Sequence, residues 1–296
     1  MRITGYWFIS RTGAVAQRGY WRRSEQVQGN GTQLLGWTAE ARAAEWSLVL
    51  IAPFIGSFLG LLIRRLPEGS TIVRGRSRCD ACGATLRVRD LVPIVSWLIV
   101  GARCRYCNQP LGWFYPGVEV AALAIALASV LIDGGLADGG LIDGGQGAWL
   151  DCVLGWWLLA LAWIDLRSWL LPDSLTLPLI IGGLAAAFLF NPDQLTERAL
   201  GAALGYLSLM AIAALYRALR GREGLGGGDA KLLAASGAWL GAAALPQVIL
   251  FAALSALAAA ACLRFAGVRL GLHSRLPFGP FLAFATWVMW LSGPLD

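Results

Sequence analysis

The chain has 296 residues, of which 57% are apolar and 14% charged, with 14 tryptophans. So apolar and charge-poor a sequence excludes an ordinary soluble domain and predicts an integral membrane protein. The net charge of +6 comes almost wholly from arginine; in a membrane protein this reports orientation and gives no ground for a nucleic-acid partner.

Residues 1–45 hold Gly, Gln, Arg and Ser without sustained periodicity. They predict a poorly ordered tail, without the apolar stretch of a secretory signal. A first transmembrane helix is expected within 46–67, its apolar run covering 46–63. Residues 68–117 form a polar insertion, and 118–296 a membrane-embedded core. That core carries apolar runs at 118–132, 149–164, 175–190, 199–219, 230–245, 248–265 and 277–291. The expected fold is all-α: a polytopic bundle of about eight transmembrane helices with a zinc-knuckle insertion.

The insertion is rich in arginine (Arg74, Arg76, Arg78, Arg87, Arg89, Arg103, Arg105) and is therefore placed in the cytoplasm. Parity puts 165–174, 216–231 and 264–276 on the same side, with Arg167, Arg217, Arg220, Lys231 and Arg264. The opposite links at 133–148 and 246–247 carry no Lys or Arg, and 191–198 carries only Arg198. In the first of these, Asp133, Asp138 and Asp143 each precede Gly-Gly, which reads as an acidic connector rather than a calcium site.

Within the insertion, Cys79-Asp-Ala-Cys82 and Cys104-Arg-Tyr-Cys107 are two C-x-x-C knuckles. Four thiolates at this spacing can close a tetrahedral zinc site, structural because no position is left for water. A redox pair and unmetallated thiols are the alternatives. Residues 91–100 are apolar but too few to cross a bilayer, which places them at the interface or against the helices. Cys152 and Cys262 fall in apolar runs and read as packing residues.

Two aspartates lie against membrane-grade sequence. Asp165 ends the run 149–164, and Asp229 closes Gly226-Gly227-Gly228-Asp229 before Ala230 and Lys231. A carboxylate at a membrane edge is costly and is a functional candidate by default. Two on the same side can share a proton: one activates water while the other polarises a peptide carbonyl. The glycines predict unusual backbone conformations and close approach of an extended substrate chain. Asp173, after Pro172, reads as a helix cap. The single histidine, His273, lies in an Arg-bearing link and reads as solvated.

Together these pieces resemble the bacterial prepilin peptidases, also called type IV leader peptidases. The resemblance covers about residues 52–290. It runs through Gly56-Ser-Phe-Leu, Arg65-Leu-Pro67, the paired knuckles, Pro93-Ile-Val-Ser-Trp97, Tyr115-Pro-Gly-Val-Glu119, Asp165, Leu171-Pro-Asp173, Gly226-Gly-Gly-Asp229-Ala-Lys231, Gly237-Ala-Trp-Leu-Gly241 and Pro277-Phe-Gly-Pro280. It implies a GxGD-type aspartic protease of the bacterial inner membrane, multi-pass in the lipid bilayer. Such enzymes cut the leader from type IV prepilins or type II secretion pseudopilins on the cytoplasmic face, and many then methylate the new amine with S-adenosylmethionine. Asp165 and Asp229 would be the catalytic pair, with Asp173, Gly226, Gly227, Gly228 and Lys231 supporting. Zinc would sit on the four cysteines, and Glu119 would belong to the methylation region. Gly60 stands where the family often has asparagine, which bears on methyl transfer rather than proteolysis. The competing reading is a proton- or cation-coupled transporter using Asp165 and Asp229. Both aspartates at one membrane edge, and no internal repeat, weigh against it.

Overall fold

The computed structural model describes residues 31–69, 77–132, 146–221, 226–268 and 276–293. The first 30 residues, the Asp-Gly-Gly connector, Arg222, Gly224, Arg269, His273 and Arg275 lie outside them. Among the described residues there are nine α-helices and no strand: α1 (Gly31–Arg65), α2 (Val95–Ile99), α3 (Phe114–Leu131), α4 (Gln146–Ser168), α5 (Asp173–Phe190), α6 (Leu195–Arg220), α7 (Gly227–Leu240), α8 (Leu245–Phe265) and α9 (Gly279–Ser292).

Each predicted apolar run falls mainly on a helix, but among the described residues six helices, not eight, are long and apolar enough to cross a membrane: α1, α3, α4, α5, α6 and α8. Helices α7 and α9 have 14 residues each. That length falls short of the roughly 20 residues a bilayer asks for. Gly241, at φ 89°, ends α7, and Pro280 sits in the first turn of α9. The α7 residues from Leu232 to Trp239 are all buried, so protein rather than lipid surrounds this short helix. Helix α1 begins at Gly31, upstream of the apolar run.

Two apolar clusters share α4. One face of α4 (Cys152, Trp156, Ala160, Ile164) packs with α1 and α3. Leu154, Leu158 and Leu161 pack instead with α5, α7, α8 and α9. Lipid offers no hydrophobic drive between helices, so close packing and polar links must hold them. Gly201 on α6 meets Gly237 on α7 so closely that a Cβ on Gly237 would lie 2.2 Å from the Gly201 carbonyl oxygen. Ser236 and Thr286 hydroxyls bond α7 to α9 at 2.6 Å. Tryptophan indoles donate across helix boundaries: Trp156 to the Ala122 carbonyl at 2.9 Å, Trp157 to Leu175 at 3.0 Å, Trp239 to Leu179 at 2.9 Å.

Arg198, expected in a link, is buried in α6. It donates to the last-turn carbonyl of α7 at Trp239, 2.6 Å away, and its guanidinium lies over the Trp290 ring. Trp290 donates in turn to the buried Asp151 carboxylate at 2.6 Å. This polar cluster ties α4, α6, α7 and α9 together where α7 ends, opposite the Asp229 end. Cys152 is buried as expected, whereas Cys262 is exposed on α8 and does not pack in the core.

Candidate active site

The last turn of α4, the α4–α5 turn and the first turns of α7 and α9 converge on one place. Asp165 lies in the last turn of α4 and is buried. Its Oδ2 accepts the backbone N–H of Gly279, the first residue of α9, at 3.1 Å. A helix N-terminus presents unsatisfied N–H groups and partial positive charge, both of which favour an ionised carboxylate. Gly279 is required sterically, because a Cβ there would stand 2.6 Å from Asp165 Oδ2. Arg167, two residues further on, places its guanidinium over the Phe114 ring, 4.6 Å from the centroid.

Asp229 is the third residue of α7, half-buried, its N–H bonded to the Gly226 carbonyl at 3.2 Å. Burial and then the Asp165 carboxylate push its pKa up to about 6. The two acids therefore sense each other, as a shared site requires.

The glycines act differently from expectation. Gly226 has an ordinary extended conformation, φ −74° and ψ 142°. Gly228 is needed for close approach: a Cβ there would lie 2.8 Å from Leu171 Cβ in the α4–α5 turn. Gly226 and Gly227 are exposed and bring no side chain of their own beside Asp229. Asp173 is not a cap. Pro172 holds the N-cap position without a side-chain bond, and Asp173 pairs with Lys231, linking α5 to α7. Trp169, at φ 56°, turns the chain out of α4 towards Leu171 and Pro172.

The four knuckle cysteines come together. Their sulfurs all lie within 4.8 Å of one another, with Cys79 and Cys107 Sγ 3.9 Å apart. Tetrahedral zinc with Zn–S bonds near 2.3 Å wants sulfur–sulfur distances of about 3.8 Å, so the cluster fits. The knuckles repeat one backbone pattern. Cys79 N–H bonds Ala84 carbonyl and Gly83 N–H bonds Cys79 carbonyl, both at 2.9 Å. Cys104 N–H bonds Gln109 carbonyl at 2.8 Å and Asn108 N–H bonds Cys104 carbonyl at 2.9 Å. Gly83 and Asn108 both take positive φ, 69° and 58°. Backbone N–H groups of Cys82 and Ala81 hold the Cys79 thiol down at about 7, whereas, against the Gln109 N–H, burial and the neighbouring sulfurs push Cys107 up to about 12, so the fit to a metal rests on the sulfur geometry. Arg64 on α1 ties this unit to the bundle through Asp80 at 2.8 Å. Asp90 accepts Arg105 Nε at 3.0 Å and the Tyr106 hydroxyl at 3.2 Å, fixing the second knuckle.

Glu119 is buried in α3, far along the chain from both aspartates, and accepts the Ile94 N–H at 2.7 Å and a bond from Ser57. It docks the insertion on the bundle. Gly60 faces the Tyr115 ring, where a Cβ would come within 2.8 Å, so the space of a larger residue is filled here by tyrosine. The stretch Pro277-Phe-Gly-Pro280 is visible in the sequence, but the service of Gly279 to Asp165 is not; a glycine opening an apolar helix is its one signal.

Two family models match the chain. The bacterial peptidase A24 N-terminal domain covers residues 50–132, and the type IV leader peptidase family covers 152–261. A protein of Burkholderia pseudomallei (strain 1026b) called prepilin leader peptidase/N-methyltransferase is 38% identical over 260 residues, 79% of this chain and 81% of its own length. One of the same description from Aeromonas hydrophila is 39% identical over 281 residues, 84% of this chain and 91% of its own. Another, from Pseudomonas aeruginosa, is 35% identical over 269 residues, 83% of this chain and 89% of its own. No solved structure matches the chain. Nothing among these relatives supports the transporter reading.

Proposed function

The chain belongs to the type IV leader peptidase family, and from that premise we propose that it is a membrane aspartic endopeptidase acting on prepilins or pseudopilins, with N-methyltransferase activity towards the new amino terminus. The observation that carries the peptidase assignment is the convergence of the helix ends that bear the two acids, with Gly279 of α9 on Asp165 and Gly228 of α7 against Leu171 of the α4–α5 turn.

We assign Asp165 the role of base, because its carboxylate is held by the Gly279 N–H at the start of α9. Asp229 is the acid, because burial and its neighbour hold its proton. Asp165 takes a proton from water, and the oxygen of that water attacks the scissile carbonyl carbon. Asp229 gives its proton to the carbonyl oxygen as the tetrahedral intermediate forms. Asp165 then passes its proton to the leaving nitrogen, the C–N bond breaks, and Asp229 recovers a proton from the collapsing gem-diol. A bound substrate excludes water from the site and drives the Asp229 pKa higher still. Lys231 and Asp173 hold α7 on α5, Gly228 lets α7 pack against Leu171, and Gly226 and Gly227 leave room for an extended chain.

The arginine distribution supports a cytoplasmic active site in the bacterial inner membrane and eight membrane-embedded helices, with α7 and α9 as short members. Zinc on Cys79, Cys82, Cys104 and Cys107 stabilises the insertion. For methylation we assign the unit of α1, α3 and the insertion, with Glu119 positioning the insertion rather than doing chemistry. S-adenosylmethionine would supply an electrophilic methyl group there.

Incubating the purified chain with a prepilin, with and without S-adenosylmethionine, and weighing the product tests both halves. Leader loss alone is expected without the donor, and leader loss plus one methyl with it. An intact prepilin overturns the peptidase, and an unmethylated product with the donor overturns the transferase.

A further inference from the structure

We propose that residues 92–99, with Trp113, seat in the bilayer as an interfacial wedge, so that the insertion lies on lipid rather than standing free in water. This inference needs only membrane residence and stands apart from the peptidase assignment.

The depth follows from one hydrogen bond. Helix α3 has 18 residues and starts at Phe114. At 1.5 Å per residue it spans about 27 Å, close to the hydrocarbon thickness, so Phe114 lies near the hydrocarbon boundary. The acceptor of the Ile94 N–H is Glu119, five residues further into that helix. Those residues descend about 7 Å, and the side chain leans back towards the helix start by about half of that. Ile94 therefore sits at or just inside the boundary, and α2 begins there. Ile94 takes φ 59°, rare for a β-branched residue, and the Glu119 bond fixes its N–H in this orientation.

The surface matches lipid. Leu98 is 62% exposed, Ile99 72% and Trp113 73%, against 74% for Leu50 and 60% for Phe54 on the spanning helix α1. Val92 and Val95 extend the patch. In water such a continuous patch would be a liability; at the headgroup–acyl boundary it is the buried face of an interfacial segment. Trp97 lies beneath Trp113 with ring centroids 4.3 Å apart and planes tilted by 54°, which leaves Trp113 as the exposed aromatic of the patch. Exposed Arg87, Arg89 and Arg103 flank the patch and complement anionic headgroups. The same arginines disfavour a basic peptide as the occupant.

The test uses the full chain in nanodiscs of phosphatidylcholine and phosphatidylglycerol with a trace of lipid carrying a diazirine near the acyl carbonyl. After irradiation, adducts are mapped by mass spectrometry. Adduct yield on residues 92–99 and Trp113 is expected within about threefold of that on Leu50 and Phe54, and unchanged when a prepilin is added. A yield about tenfold below the α1 positions overturns the proposal. Labelling that disappears on adding prepilin also overturns it, since the face would then belong to substrate.

Discussion

Gly279→Ala tests the support of Asp165 from outside the acid pair. The added Cβ would stand 2.6 Å from Oδ2 and 3.0 Å from Cγ, where ordinary contact begins at 3.4 Å. The carboxylate must retreat by about 0.8 Å or rotate, and either change lengthens the 3.1 Å bond from the Gly279 N–H. Misplacement near 1 Å of a reacting group costs about 100-fold, or about 2.7 kcal/mol. We expect kcat/KM on a prepilin to fall by about that factor. Folding should hold, because alanine is a better helix former than glycine. The assay is leader release by gel or mass, alongside thermal unfolding of both proteins. Cleavage within about threefold of wild type, with unfolding unchanged, would refute the idea that α9 positions Asp165.

Further outcomes follow from the same geometry. The pH profile should be bell-shaped, and the alkaline limb reports loss of the Asp229 proton. A raised pKa keeps that proton to higher pH, so activity should fall as pH rises through a value at or above about 6; an alkaline limb near pH 4 would count against the acid assignment. Elemental analysis should find about one zinc per chain, and Cys79→Ser should lower both metal content and thermal stability while Asp165 and Asp229 stay in place; metal-free protein of full stability would contradict this. Lys231→Ala breaks the tie to Asp173. Because that pair is partly exposed, we expect a loss of only a few-fold in kcat/KM, with no change in the pH profile; complete inactivation would make Lys231 part of the chemistry. A reporter after Gly83 should read cytoplasmic and one after Asp138 external; opposite readings would part the aspartates from a cytoplasmic cleavage site.

Much of the site was legible because its chemistry is written in residue types that membranes disfavour. Asp165 and Asp229 stood out against apolar runs, and four cysteines at knuckle spacing have few other uses. The eight apolar runs fall mainly on helices, since backbone in lipid must satisfy its own hydrogen bonds. The spanning count was less legible. Helix α7 reads as largely apolar from Leu232 onward, and only tertiary packing reveals that protein encloses it. Contacts distant in sequence were invisible: Gly279 serving Asp165, Lys231 pairing Asp173, and Arg198 closing the far end of α7. Asp173 after Pro172 looked like a cap because local pattern cannot see a lysine 58 residues away. The glycines before Asp229 suggested unusual backbone conformations, yet Gly226 is ordinary extended backbone and Gly228 is required by its approach to Leu171.

The central claim is that Asp165 and Asp229 together cut the leader. The direct measurement is the intact mass of a prepilin after incubation with wild type, Asp165→Asn and Asp229→Asn in the same membranes. Wild type should release the leader. Each variant should insert, retain zinc and leave the prepilin whole, because a lone carboxylate cannot serve as both base and acid. Near wild-type cleavage by either variant would contradict the account.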